Sequence, residues 1–346
     1  MSVKPRILFL HTGGTLGMTR KDDPGVLMPS APAPDLTPHI PALAQVAQVE
    51  GKVLANVDSS DLTPADWATL ARTIAECHDD FDGFVVLHGT DTMAFTAAAL
   101  SFMLQGHHKP VVLTGSQRPL AEPRTDARVN LVHSAICAGM DIREVGLYFG
   151  SHLFRGNRAT KTSVHAYEAF ASPNHPALVQ MGVGIDRLAP SLERSGDLLL
   201  STEVATDVAA LSLFPGIDPG QLGVLARTNR VVVLRGFGEG NLPQDGWPEA
   251  IEAASKSGTH VIIMSQCRAG SSRPGRYVGS ELARDAGALF SGDMTGEATL
   301  VKAMWLLGQG AVGPTFRSRF SQPIAGELSP GLVDPPPHAS RAEDGH

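Results

Sequence analysis

Long apolar runs are the first thing missing from this 346-residue chain. None approaches the roughly 20 residues that a helix needs to cross a bilayer. The N-terminus, Met1-Ser2-Val3-Lys4-Pro5, leads into a short apolar stretch and lacks the longer apolar core and small-residue cleavage site of a secretory signal. Cysteine is scarce: Cys77, Cys137 and Cys267 are an odd count in a large chain and suggest no disulfide framework. Basic charge is short as well. With 28 Lys and Arg against 35 Asp and Glu, the net charge is -7, which gives no electrostatic footprint for nucleic acid or for an anionic membrane surface. No G-x-x-x-x-G-K-[ST] occurs, no glycine run fits G-x-G-x-x-G in register, and the histidines and cysteines show no zinc-type spacing. These absences predict a cytoplasmic protein with no metal, no cofactor, no nucleic-acid partner and no membrane partner.

What is present is core-forming residue. The chain is 42% hydrophobic and 18% charged, enough for a sizeable core, and its length suggests two domains. Two runs stand out, His11-Thr12-Gly13-Gly14-Thr15-Leu16-Gly17 and His88-Gly89-Thr90-Asp91-Thr92-Met93. Each follows a short apolar run, Arg6 to Leu10 and Phe84 to Leu87, of the kind that forms strands buried on both faces. Ligand sites in open parallel sheets form beyond the carboxyl ends of the strands, so Thr15 and Thr90 are expected to meet across one pocket.

Strand and helix signals alternate through the first half. Strands are expected near 53–57, 84–87, 110–114 and 145–149, with helices over 64–78, 94–104 and 126–139. Asp61 or Thr63 is placed to cap the first helix, with Pro64 in its first turn. Asp22 to Pro41 holds too many breakers for regular structure. The pattern predicts an α/β protein: a larger N-terminal domain with a parallel, doubly wound sheet over 1–188, a linker over 189–214, a smaller C-terminal α/β domain over 215–332, and a disordered tail over 333–346. Strands at 231–234 and 260–264 and a helix over 297–308 mark the second domain.

Several constellations read two ways. Gly13 and Gly14 permit positive φ and close backbone approach to a ligand, with amide N–H groups able to hold an oxyanion, or they form an ordinary strand-to-helix turn. Asp91 either caps the helix opening near Met93 or anchors a cationic group. Asp58-Ser59-Ser60-Asp61 either binds a small polar ligand or caps a helix. Lys161 is a surface charge unless its ammonium is lowered from its reference pKa of about 10.4 to serve as a base. His11 and His88 read as structural.

Together, and in this order, the motifs resemble the bacterial-type L-asparaginases, specifically their cytoplasmic type I branch. The carriers are Thr12-Gly13-Gly14-Thr15, Asp58-Ser59-Ser60-Asp61, His88 to Met93, Thr114-Gly115-Ser116-Gln117, Arg155 to Lys161 and Phe170-Ala171-Ser172-Pro173-Asn174. Gly238-Glu239-Gly240-Asn241, Gln266-Cys267 and Asp293-Met294-Thr295 extend the match. The resemblance implies that Thr15 is a nucleophile attacking the side-chain amide of L-asparagine, and that Thr90 and Lys161 move the proton. It implies that Asp91 and Ser59, with Ser60 and Gly14 beside them, hold the substrate's α-groups, and that the protein is a homodimer or homotetramer. A threonine hydroxyl needs such a neighbouring base.

The resemblance is incomplete at one position. Many members carry a tyrosine shortly after the first glycine loop, where this chain reads Pro24-Gly25-Val26-Leu27. Tyr277 is the expected replacement, against a buried structural tyrosine as the alternative. Type I members also imply an asparagine effector site near Arg235 and Cys267, against an ordinary ion pair and a buried cysteine. The competing functions are a dual glutaminase-asparaginase, a tRNA-linked amidotransferase subunit and a non-catalytic amino-acid sensor. One methylene separates the two free amides, worth about 1–3 kcal/mol of discrimination. A sensor has no need of Thr15, Thr90 and Lys161 together.

Overall fold

The computed structural model describes residues 3–15, 18–20, 27–29, 35–193 and 196–332, which divide into two compact units, 1–202 and 203–346. The tail expected over 333–346 lies outside the described residues. In the first unit, β1 (Arg6–Gly13), β2 (Gln48–Val57), β3 (Gly83–Leu87), β4 (Val111–Thr114) and β5 (Val145–Phe149) are parallel in the order β2-β1-β3-β4-β5. That is the 2-1-3-4-5 order of a doubly wound sheet, whose strand order reverses between β1 and β3. Three further strands correct the all-parallel expectation. β6 (His152–Arg155), β7 (Val179–Met181) and β8 (Ile185–Arg187) add antiparallel to make an eight-stranded mixed sheet. The turn at Gly150, with φ +63, reverses the chain within a few residues, leaving no room for the helical crossover a parallel strand requires.

Both faces of β1 are covered, with Ile7, Leu8, Phe9 and Leu10 each at most 5% exposed. Ile7 and Phe9 join Leu131 and Ala135 of helix α3 (Ala127–Ala138) in one core cluster. Helix α2 (Met93–Met103) is apolar nearly all round and correspondingly buried. Helix α1 (Pro64–Glu76) opens at Thr63, not Asp61: the Thr63 amide and hydroxyl both donate to Asp66 Oδ2 at 2.7 Å.

Two more boundaries move. Within the loop expected over 22–41, Leu27–Pro29 pairs antiparallel with Met18–Arg20. The expected linker 189–214 supplies strands to both units. Leu199–Leu200 pairs with Leu104–Gln105 in the first, and β9 (Val208–Ser212) is the edge strand of the second. Neither run is buried, Leu199–Leu200 being exposed and Val208–Ser212 half-buried, so neither forms the continuous buried apolar run of a central strand.

The second unit holds four parallel strands in chain order, β9, β10 (Val231–Gly236), β11 (His260–Ser265) and β12 (Leu289–Phe290). Helices α4 (Gly220–Ala226), α5 (Trp247–Lys256), α6 (Val278–Asp285), α7 (Gly296–Gly308) and α8 (Gly313–Phe320) accompany them. A fully buried ion pair, Lys302 Nζ to Glu327 Oε1 at 2.6 Å, ties α7 to the segment after α8. Lys302 also donates to the carbonyls of Phe320 and Gln322, so its charge is satisfied on several sides.

Candidate active site

The site lies where β1, β2 and β3 end, at the reversal of strand order in the first unit. Gly13 and Gly14 have φ of +109° and +87°, conformations that a residue with a Cβ rarely adopts. The turn is also too tight for a side chain. A Cβ on Gly13 would lie 2.5 Å from the Val57 nitrogen, and one on Gly14 would lie 2.5 Å from the Gly89 Cα. Thr15 follows directly and is half-buried, so its backbone is held beside the β3 turn. The Gly14 amide donates to Val57 O at 3.1 Å, which binds the glycine turn to the end of β2.

The other residues converge on the same strand ends. Ser59 is 3% exposed and packs on Gly89, where a Cβ would meet its Oγ at 2.6 Å. Asp58 Oδ1 accepts from both the amide and the hydroxyl of Ser60 at 2.8 Å, which holds the Asp58 carboxyl below the usual carboxylate range. The helix after β3 starts at Thr92, whose hydroxyl donates to Ser59 O at 2.7 Å. Asp91 is therefore not the cap: its carboxylate accepts from Lys161 Nζ at 2.6 Å and its side chain remains 67% exposed. Lys161 Nζ also donates to Thr90 Oγ1 at 2.8 Å, from a side chain only 17% exposed.

Lys161 reaches this position through local packing. The turn Gly156–Arg158 after β6 presses on α2, with Gly156 so close that a Cβ would meet Ala97 Cβ at 3.2 Å. The two-residue strand Thr160–Lys161, paired with Phe170–Ala171, then points the chain at Thr90. Beneath the β3 turn, His88 is fully buried. Its Nδ1–H donates to Gly89 O at 2.7 Å and its Nε2 accepts from Thr96 Oγ1 at 2.8 Å, which defines one tautomer. Burial pushes the His88 imidazole down to about 4. Thr96 carries no motif signal; its position one helical turn into a buried helix after the threonine run is the only hint in the sequence.

Tyr277, Arg235 and Cys267 belong to the second unit. Tyr277 precedes α6 and is 42% exposed, with the Arg276 guanidinium 5.7 Å over its ring, so it is not a buried structural residue. Arg235 is the exposed position of β10, and Cys267 is an exposed free cysteine rather than a buried one. They share the carboxyl end of that unit's sheet: Gln266 Nε2 donates to Arg235 O at 2.7 Å, and the Cys267 amide donates to Ser265 Oγ at 2.9 Å. Among the described residues no cluster of three or more His, Cys, Asp or Glu is arranged to hold a metal ion. No helix among them is long and apolar enough to cross a membrane.

Strand order and site together define a doubly wound α/β protein with a glycine-cradled hydroxyl, ammonium and carboxylate group at its switch point. Residues 6–190 match the family described as "Asparaginase, N-terminal", and residues 207–320 match "Glutaminase/Asparaginase C-terminal domain". The chain is 39% identical to L-asparaginase 1 of Escherichia coli K12, over 94% of this chain and 99% of that one. It is 34% identical to the human 60 kDa lysophospholipase, over 95% of this chain and 62% of that protein. Its fold superposes on the thermostable L-asparaginase of Thermococcus kodakarensis with a TM-score of 0.85 at 32% identity, covering 94% and 99% of the two chains. The chain belongs to the asparaginase family.

Proposed function

We propose that this protein is an L-asparaginase, hydrolysing L-asparagine to L-aspartate and ammonia through an ester on Thr15. The observation that carries the reading is Lys161 Nζ donating at once to Thr90 Oγ1 and Asp91 Oδ1, beside the Gly14–Gly89 contact that seats Thr15. The Thr15 oxygen attacks the side-chain amide carbon and gives up its proton. The amide nitrogen takes a proton and leaves as ammonia. Water then attacks the ester, loses a proton to the same relay, and releases aspartate and the Thr15 hydroxyl. A Thr90 oxygen that accepts from Lys161 keeps its own proton for transfer, and Lys161 completes the relay behind it.

Binding follows from the groups at the strand ends. The exposed face of the Asp91 carboxylate suits the substrate's α-ammonium, and the Ser59 hydroxyl suits its α-carboxylate, with Ser60 beside it and Gly14, its amide held by Val57 O, forming the wall. Tyr277 supplies the phenol that hydrogen-bonds the nucleophile, in place of the tyrosine missing after the first glycine loop. Arg235 and Cys267 form an effector site for free asparagine, and the protein works in the cytoplasm as a homodimer or homotetramer. The test is ammonia release from L-asparagine and L-glutamine by wild type and Thr15→Ala. Strong release from asparagine that disappears in the variant supports the reading. Equal rates on glutamine make the protein a dual amidase, and binding of asparagine without turnover makes it a sensor.

A further inference from the structure

The second unit has a large cavity with no part in the chemistry above. It lies at the amino end of β11, between the ends of α5 and α6 and the start of α8, and encloses ≈ 1020 Å³. That is at the top of the roughly 300–1,000 Å³ typical of small-molecule sites.

Its charges are unevenly matched. Arg284 is spoken for, pairing with Glu281 at 2.7 Å and Asp285 at 2.9 Å. Asp285, also in the lining, shares that guanidinium with Glu281. Arg317 has no such partner. Its Nη1 donates to Gly287 O at 2.7 Å, and among the described residues no carboxylate forms an ion pair with it. Burial disfavours its charged form, with no neighbouring anion to offset this. The start of α8, Val312 to Pro314, lines the same space and has no side-chain cap, so the Gly313 amide, with no N–H on Pro314 after it, adds a little positive potential. Beside Arg317 the wall is flat and apolar: the His260 ring stacks on the buried Phe316 ring at 4.4 Å and 10°. Burial and the Arg317 charge push His260 down to about 4, so its ring is neutral at physiological pH.

We propose that this cavity binds a small organic anion, its carboxylate or phosphate paired with Arg317 and its flat apolar body lying between His260 and Val312. A guanidinium presents two parallel donors to either oxyacid, so the two share one mode of recognition here.

The experiment is titration calorimetry on the full chain with benzoate, phenyl phosphate and the neutral analogue benzyl alcohol. Wild type is expected to bind at least one anion and to bind the alcohol about tenfold more weakly or worse. Which anion binds tighter separates a carboxylate site from a phosphate site. Arg317→Met keeps the apolar stem but loses the charge, and is expected to weaken anion binding about tenfold or more while leaving asparagine turnover unchanged. Should that variant not fold, Val312→Trp decides: Val312 is 57% exposed, and an indole there fills the mouth and should block binding. No binding of either anion by wild type overturns the proposal, as does undiminished binding in Arg317→Met or, in its place, Val312→Trp.

Discussion

Gly14 and Gly89 lie backbone against backbone, with room for no side chain between them: a Cβ on Gly14 would come within 2.5 Å of the Gly89 Cα. This contact joins the turn after β1 to the turn after β3, and so joins Thr15 to Thr90 and Lys161.

Gly14→Ala is accordingly expected to displace one turn or the other. The new methyl meets backbone on both sides, at a φ of +87° that already disfavours alanine by about 1–3 kcal/mol. A displacement near 1 Å at the nucleophile can cost about a hundredfold in rate. Steady-state ammonia release should fall by that order while circular dichroism still reports a folded α/β protein. Unchanged kcat would show that the close contact is not what places Thr15.

Lys161→Met and Thr90→Val remove the two ends of the 2.8 Å hydrogen bond proposed to carry the proton. Each is expected to lower kcat by about 10²–10⁴. Because the two act as a unit, the double variant should lose little more than either single one. Additive losses would mean that the two side chains work separately.

Acid lability should follow from His88. Its folded pKa, about 4, lies below the unfolded value of about 6.5, so stability is intact above that value. As pH falls towards 4 the unfolded chain binds a proton that the native core refuses, and stability drains by an amount of the order of 3 kcal/mol. His11, also pushed down to about 4 by burial, adds in the same direction. Denaturant midpoints measured between pH 7 and pH 4 should decline through this window; a flat profile would contradict it.

Tyr277→Phe tests the phenol separately from the fold, because an exposed ring loses little by losing its hydroxyl. The expected result is a fall in kcat with Tm unchanged. Nearly full kcat would remove Tyr277 from the mechanism.

The first unit was legible because its central strands are buried on both faces and read as unbroken apolar runs, as in Phe84 to Leu87 and Val111 to Leu113. The antiparallel edge was not. Val179–Met181 is three residues long and Ile185–Arg187 is exposed throughout, so neither carries a period that a short window can detect. For the site, the strand-end motifs announced Thr15, Ser59, Thr90 and Asp91 as neighbours of sheet termini. The choice between cap and anchor for Asp91 needed the third dimension, because Lys161, 70 residues on, is what occupies its carboxylate. Thr96 stayed silent for a related reason: its work is done behind the turn, through His88 and the Gly89 carbonyl.

The most direct test of the account is to trap the ester. Lys161→Met, slowed in both half-reactions, would be mixed with L-asparagine, quenched in acid and mapped by peptide mass spectrometry. The account predicts an aspartyl adduct on the peptide containing Thr15, absent when Thr15 is alanine. An adduct on another residue, or ammonia release with no adduct at any time point, would contradict it.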